Sequence, residues 1–258
     1  MIARDRLVNV CDELLCPEGF KDYTVNGLQV AGRERIGRVM SGVTACQALL
    51  DEAVRWEADL VLVHHGYFWK NEPVTITGMK RRRLATLLGS DINLLAYHLP
   101  LDAHQEVGNN AQLAAKLGFQ VLGCADGELG TGLVWLGTPG EAMARGVAID
   151  SRALGRHLSR QLGREPMVVV GHERRIERVA WCTGGAQEMI GLAYDAGADA
   201  FISGEISERT THLAREMGIS YYAAGHHATE RYGVQALGEW LASHHGIEHR
   251  FVDIDNPA

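Results

Sequence analysis

The chain has 258 residues, 46% of them apolar and 22% charged, which excludes wholesale disorder and a fibrous architecture and leaves room for one large domain or two modest ones. With 32 acidic against 25 basic side chains the formal charge is −7, a balance that weighs against general attraction to nucleic-acid backbones. The five cysteines (Cys11, Cys16, Cys46, Cys124, Cys182) are odd in number and form no C-x-x-C pair, so neither a disulfide framework nor a thiolate zinc site is expected.

The first residues lack the pattern of a secretory signal and no apolar run approaches bilayer length, so the expectation is a cytoplasmic protein without membrane contact. Leu7, Val10, Leu14 and Leu15 have helical spacing, with Pro17 as a stop. Asn26-Gly27 reads as a turn into a short strand over 28–30, and residues 38–45 read as another strand. The basic run Lys80 to Arg83 has two readings, a solvated helix face or a contact for an anionic ligand.

The informative feature is an internal repeat. Residues 38–66 align without a gap on residues 178–206, matching Arg38 with Arg178, Gln47 with Gln187, Ala58 with Ala198 and Asp59 with Asp199. Each copy reads as strand, Gly/Thr-rich turn, amphipathic helix and a wholly apolar strand (60–63 and 200–203), the order of a βαβ unit buried on both faces. At an offset of 128 the repeat continues. An apolar strand precedes H-x-x-x-D (His98, Asp102) in one copy and H-x-x-x-E (His226, Glu230) in the other, and helices follow over 110–117 and 234–241.

The fold class is therefore α/β, two pseudo-symmetric halves built from repeated βαβ units with the site between them. The divisions are 1–125, a connecting segment 126–164, and 165–258. Within the connecting segment 133–136 reads as a strand and 152–162 as a helix; 167–170, at the start of the second half, also reads as a strand.

Strand ends in parallel sheets carry the chemistry. Here those ends hold His64-His65, His98 with Asp102, Gly204-Glu205, and His226-His227 with Glu230, with His104 close by. Imidazole and carboxylate donors suit zinc, iron(II) or manganese. Adjacent histidines on a strand point to opposite sides of the pleat, which favours two ions over one. His226 and Glu230, four apart on a helix, share a face, and Glu230 has two oxygens with which to bridge. Glu205 and His212 read either as acid/base groups lining the cavity or as structural side chains. Tyr67, Phe68 and Trp69 read as a base-stacking wall or as core. His244, His245 and His249 read as surface.

Together HHGYFW (64–69), HLPLD (98–102), the segment ending in Ser203-Gly204-Glu205 and GHHATE (225–230) resemble the YbgI-type dinuclear metal-centre proteins, the GTP cyclohydrolase 1 type 2 family, and the resemblance runs end to end. It implies that His65 and Asp102 hold one ion, His64 and His226 the other, and that Glu230 bridges them, giving two divalent ions (iron, zinc or manganese) per subunit. His98 is not an expected ligand. It also implies a toroidal homohexamer, a trimer of dimers, and a small-molecule substrate such as GTP or another nucleotide. Water would attack C8 of guanine, opening the ring and releasing formate, with Glu205 or His98 as the proton shuttle. Hydrolysis of another substrate, and a non-catalytic metal-binding or metal-delivery role, are the alternatives.

Overall fold

The computed structural model describes residues 1–140 and 149–258. In chain order the elements are β1 (Ile2–Ala3), α1 (Arg4–Leu15), β2 (Gly27–Val30), β3 (Arg35–Ile36), β4 (Arg38–Thr44), α2 (Gln47–Arg55), β5 (Leu60–His65), α3 (Gly78–Gly89), β6 (Asn93–Ala96), α4 (Leu99–Ala103) and α5 (Asn109–Leu117). They continue with β7 (Phe119–Cys124), β8 (Trp135–Pro139), α6 (Ser151–Leu162), β9 (Met167–Val169), β10 (Val179–Trp181), α7 (Ile190–Asp195), β11 (Ala200–Ser203), α8 (Glu208–Met217), β12 (Ser220–Ala223), α9 (His226–His245) and β13 (Glu248–Phe251). No helix among the described residues is long and apolar enough to cross a membrane.

By packing the chain divides into two units, Met1–Leu101 with Gly233–Asp255, and Asp102–Tyr232 with Asn256–Ala258. These bounds follow compactness, whereas the divisions at 125 and 165 follow relatedness of sequence. The first unit is built on a five-stranded sheet in the order β13-β4-β5-β6-β2, in which the first four strands are parallel and β2 runs antiparallel to β6. β4, β5 and β6 are buried along nearly their whole length, as strands covered on both faces must be. Met40, Leu49, Leu50, Val61, Val63, Leu87 and Leu94 form the core of this unit. β1 and β3 make a separate two-stranded ribbon.

The second unit carries a six-stranded sheet in the order β7-β8-β10-β11-β12-β9. Its central three strands are parallel, and antiparallel strands flank them. The connecting stretch supplies β8 and α6 to this unit; its residues 141–148 lie outside the described ones. The strand expected at 133–136 begins two residues later, because the Asp126 carboxylate takes the Leu133 and Val134 N–H groups at 3.1 and 2.9 Å and withholds them from the ladder. α6 forms as its sequence predicts. Asp150 caps it by accepting from the Ala153 N–H at 2.7 Å, Leu154, Leu158 and Leu162 form its buried stripe, and Gly163 ends it at φ +69°.

The repeat is written into the hydrogen bonds. Asp59 Oδ2 accepts from the Gly37 and Arg38 N–H groups at 2.7 and 2.9 Å, and Asp199 Oδ2 accepts from those of Glu177 and Arg178 at 2.9 and 3.0 Å. Arg38 donates to the Trp56 carbonyl and Arg178 to that of Ala196, at 2.8 and 2.9 Å. In each copy one carboxylate ties the start of the first strand to the start of the second. The copies differ in the helix between them. The nine-residue α2 is answered by a 3-10 turn (Gln187–Met189) and the six-residue α7. The turn before the helix is common to both, the Cys46 N–H reaching Thr44 O at 2.7 Å and the Ala186 N–H reaching Gly184 O at 3.1 Å, but Ala186 also donates to Ser203 Oγ at 3.1 Å.

A candidate metal centre in two donor sets

In the first unit, β5 delivers His64 and His65 at its carboxyl end. His64 is buried, and its Nδ1 lies 2.9 Å from the Tyr97 carbonyl oxygen, which can only accept. Nδ1 therefore carries the hydrogen and the ring's lone pair is on Nε2, the state a metal ligand needs. His65 Nδ1 is 3.1 Å from Thr44 Oγ1 at the end of the neighbouring β4. Although adjacent on a strand that stays paired through His65, the two rings have centroids only 4.6 Å apart.

His98 follows β6 and is buried. Its Nδ1 donates to Asp22 Oδ1 at 2.9 Å and its backbone N–H donates to Asn26 Oδ1 at 2.7 Å. Asp22 is held in turn by the Leu99 N–H at 3.1 Å and Asn26 Nδ2 at 3.0 Å. Burial works to raise the Asp22 pKa, but the hydrogen bonds from His98, Asn26 and Leu99 outweigh it and hold the group down at about 2. One nitrogen from each of His64, His65 and His98 falls within 4.8 Å of the others, so these three could hold a metal ion. Asp22 and Asn26 escaped the sequence analysis. D-x-x-x-N-G before a strand reads as turn chemistry, and nothing local ties it to a histidine more than 70 residues away.

In the second unit, Asp102 is buried near the end of α4, where its Oδ1 accepts from Asn109 Nδ2 at 2.8 Å and Thr183 Oγ1 at 3.1 Å. His226 opens α9. Its Nδ1 donates to Glu205 Oε1 at 2.7 Å, and its Nε2 lies 3.0 Å from Oε2 of Glu230, one turn along the same helix. Burial lowers the His226 pKa, yet hydrogen bonding and charge from Glu230, and then from Glu205, raise it to about 9. Gly184 and Gly204 make this approach possible. A Cβ at Gly184 would stand 1.9 Å from Glu230 Oε1, and one at Gly204 would stand 2.6 Å from the His226 Cα.

The remaining candidates separate cleanly. Glu205 is half exposed and orients His226, whereas His212 is exposed on α8 and pairs with Glu208 at 2.9 Å. His104 Nδ1 accepts the Glu106 and Val107 N–H groups, a turn-capping role, and His227 is buried. Tyr67 belongs to the core, its hydroxyl donating to the Ala45 carbonyl at 2.7 Å, whereas Trp69 stands 5.1 Å from the His98 ring and 5.9 Å from that of His65. Lys80 is tied to Glu72 at 3.4 Å and to the Pro73 carbonyl at 3.1 Å. His249, expected at the surface, is half-buried on β13 with its Nε2 2.7 Å from Ser41 Oγ, because β13 pairs with β4 and brings the ring inward; burial lowers its pKa. His244 is exposed as expected and stacks on Trp240 at 4.2 Å.

The donors in both units fit a divalent metal. His64, His98 and His226 each have Nδ1 committed to an oxygen that can only accept, and Asp102 is oriented by two donors, which is the arrangement that fixes the tautomer and aim of metal ligands. Neutral imidazole and carboxylate together suit zinc, iron or manganese.

The family model for Duf34/NIF3 (NGG1p interacting factor 3) matches residues 2–257 of this chain. A protein of Pseudomonas aeruginosa named GTP cyclohydrolase 1 type 2 homolog is 55% identical over 257 residues, covering 100% of this chain and 99% of that one. A Yersinia pestis protein of the same name is 56% identical over 240 residues, 93% of each chain. A solved structure described as protein ybgI, of unknown function, superposes with a TM-score of 0.93 at 50% identity and covers 100% of both chains. With a family model matched almost end to end and relatives above half identity across nearly the full length, this chain belongs to the Duf34/NIF3 family, alongside the GTP cyclohydrolase 1 type 2 homologs.

Proposed function

We propose that this protein is a metal-dependent hydrolase in which His65 and Asp102 hold one divalent ion, His64 and His226 hold a second, and Glu230 bridges the two. The observation that carries this reading is the state of the imidazoles. Backbone carbonyl and carboxylate acceptors hold Nδ1 of His64 and His226, which leaves Nε2 as the ligand atom, for His226 once the ring gives up the proton it shares with Glu230. His157 and His172 also place a ring nitrogen on a backbone carbonyl, but the held rings of His64 and His226 lie within groups of His, Asp and Glu side chains that could hold a metal ion. Two such ions, when bound, lower the pKa of water toward neutrality and stabilise negative charge on the attacked group.

The proposed substrate is GTP, opened at C8 of guanine with release of formate; the names of the close relatives support that choice. Glu205 is the proposed proton shuttle to or from solvent, a role supported by its half-exposed carboxylate and its hydrogen bond to His226. His98, steadied by Asp22, is the second candidate for that role. The homohexamer that the resemblance implies is part of the same proposal, and sedimentation of the purified protein tests it.

The test is to purify the chain without added metal, measure metal per subunit, and assay GTP for formate beside His65→Ala and Glu230→Ala. About two ions of iron, zinc or manganese per subunit, with metal and formate release lost together in both variants, is the expected outcome. Two ions without formate release would remove GTP and shift weight to another hydrolysis or to metal delivery. No metal after reconstitution would remove the centre itself.

A further inference from the structure

The loop after His65 is built with more care than a connection requires. Phe68 sits at φ +66°, a left-handed conformation that a bulky aromatic side chain rarely adopts, and its ring is partly exposed. The Glu72 carboxylate accepts from the N–H groups of both Phe68 and Trp69, at 2.8 and 3.3 Å. Lys80 bridges to Glu72 at 3.4 Å, donates to the Pro73 carbonyl, and places its ammonium 5.1 Å over the Phe68 ring. A second loop is strapped to this one. The Lys70 N–H donates to the Tyr23 carbonyl at 2.8 Å, and Gln29 takes the Tyr67 N–H at 2.7 Å while donating to the Tyr67 carbonyl at 3.0 Å.

The result of these ties is the placement of two rings. Trp69 and Tyr23 stand 5.7 Å apart, and both lie 5.1 Å from His98 in edge-to-face contact, with Trp69 also 5.9 Å from His65. Tyr23 is 54% exposed although apolar rings are costly to leave in water, and it belongs to the loop that Asp22 anchors to His98. Backbone strain that the surroundings over-determine gathers at ligand clamps, and here it serves to hold an aromatic wall beside the histidine donors.

We infer that Trp69 and Tyr23 form a stacking wall that binds a planar nitrogen heterocycle, a nucleobase, at the histidine end of β5. The inference deepens the hydrolase reading by assigning recognition of the base to these two rings, and it rests on that reading only for the reaction that follows binding. Base stacking on an aromatic side chain tolerates any π-face, so a purine is bound through its area and held in place beside His65 and His98.

The probes are guanosine and, as the base-less comparison, ribose 5-phosphate, titrated into the full-length metal-loaded protein by calorimetry. Guanosine is expected to bind and ribose 5-phosphate to bind far more weakly. Trp69→Leu should weaken guanosine about 5- to 150-fold, and Trp69→Phe should restore most of the loss. Metal content and thermal melting of each variant report on folding; if Trp69→Leu loses metal, Tyr23→Leu makes the same comparison at a more exposed ring. Equal binding of the two probes, or wild-type guanosine affinity in both leucine variants, overturns the inference. Formate release from GTP separates the two claims. Guanosine binding without formate removes the hydrolase reading and keeps the wall; formate release indifferent to both leucine variants keeps the hydrolase and removes the wall.

Discussion

The two copies of the βαβ repeat share a frame and divide the chemistry. At the end of the second strand the first copy places His64 and His65, where the second has Gly204 and Glu205; at the turn after the first strand, Thr44 is answered by Gly184. In the first copy the strand end itself supplies the imidazoles and Thr44 steadies one of them. The second copy has glycine opposite Thr44 and His64, and the cleared space is filled by His226 and Glu230 from the start of α9. The histidine of H-x-x-x-D/E has its Nδ1 held by a carboxylate in both copies, yet from different sources, Asp22 in an N-terminal loop and Glu205 at the strand end. Duplication preserved the scaffold and the demand for an oriented imidazole, while the residues meeting that demand were free to move.

The sharpest way to break this comparison is to give the second copy a side chain where it has none. Gly184→Ala would drive a Cβ to within 1.9 Å of Glu230 Oε1 and 3.1 Å of His226 Nε2, at a φ of +66° that already disfavours alanine. The expected result is loss of at least one metal equivalent per subunit, with stability lowered by about 1–2 kcal/mol. Metal analysis beside urea unfolding reads both. Thr44→Ala, at the matching position of the first copy, should keep its metal, and equal loss in the two variants would mean that the copies do not divide the work as described.

The shared frame makes the next largest prediction. Asp59 is buried and joins Arg33 at 2.9 Å, whereas Asp199 is more exposed and its Arg174 stands at 3.5 Å. Asp59→Ala strands two backbone N–H groups away from water and should cost about 3 kcal/mol; Asp199→Ala leaves its two groups nearer solvent and should cost about 1 kcal/mol. Urea midpoints decide the matter, and equal costs would show that burial does not distinguish the two ties.

Much of this frame was legible in the sequence, because gap-free alignment of Arg38 on Arg178 and Asp59 on Asp199 already marks the residues that later prove to make the same hydrogen bonds. Helix periodicity placed α1, α5 and α6 to within a residue or two, and the apolar runs placed β5 and β11. What escaped were contacts that no period encodes. Asp22 meets His98 across 76 positions and Thr183 meets Asp102 across 81, and neither residue type differs from an ordinary turn or strand residue until the fold brings it there. His249 was misjudged for the same reason, since β13 is short and polar and only its pairing with β4 turns the ring inward. The glycines at 184 and 204 carried a signal that only the comparison of copies reveals, a side chain missing exactly where its twin has one.

The two carboxylate-held histidines should also fail at opposite ends of the pH scale, which is the smallest and most specific test. Asp22 is held near pKa 2, below an unfolded carboxylate, so its contribution to stability is present above about pH 4 and is lost as the pH falls toward 2. His226 is raised to about 9 from 6.5, so its contribution is complete below pH 6.5 and is lost as the pH rises through 9. In the metal-free protein, Asp22→Asn should therefore flatten the acid limb of the urea-midpoint profile and leave the alkaline limb unchanged. Glu205→Gln should leave the acid limb unchanged and weaken the alkaline limb only in part, since Glu230, the larger cause of the raised pKa, remains; it should also bring the titration midpoint of the His226 ring protons down in NMR spectra, because an amide still accepts the hydrogen bond but no longer favours the charged ring. Identical profiles in the two variants would mean that the pairs are interchangeable supports, and that Glu205 holds His226 by shape rather than by charge.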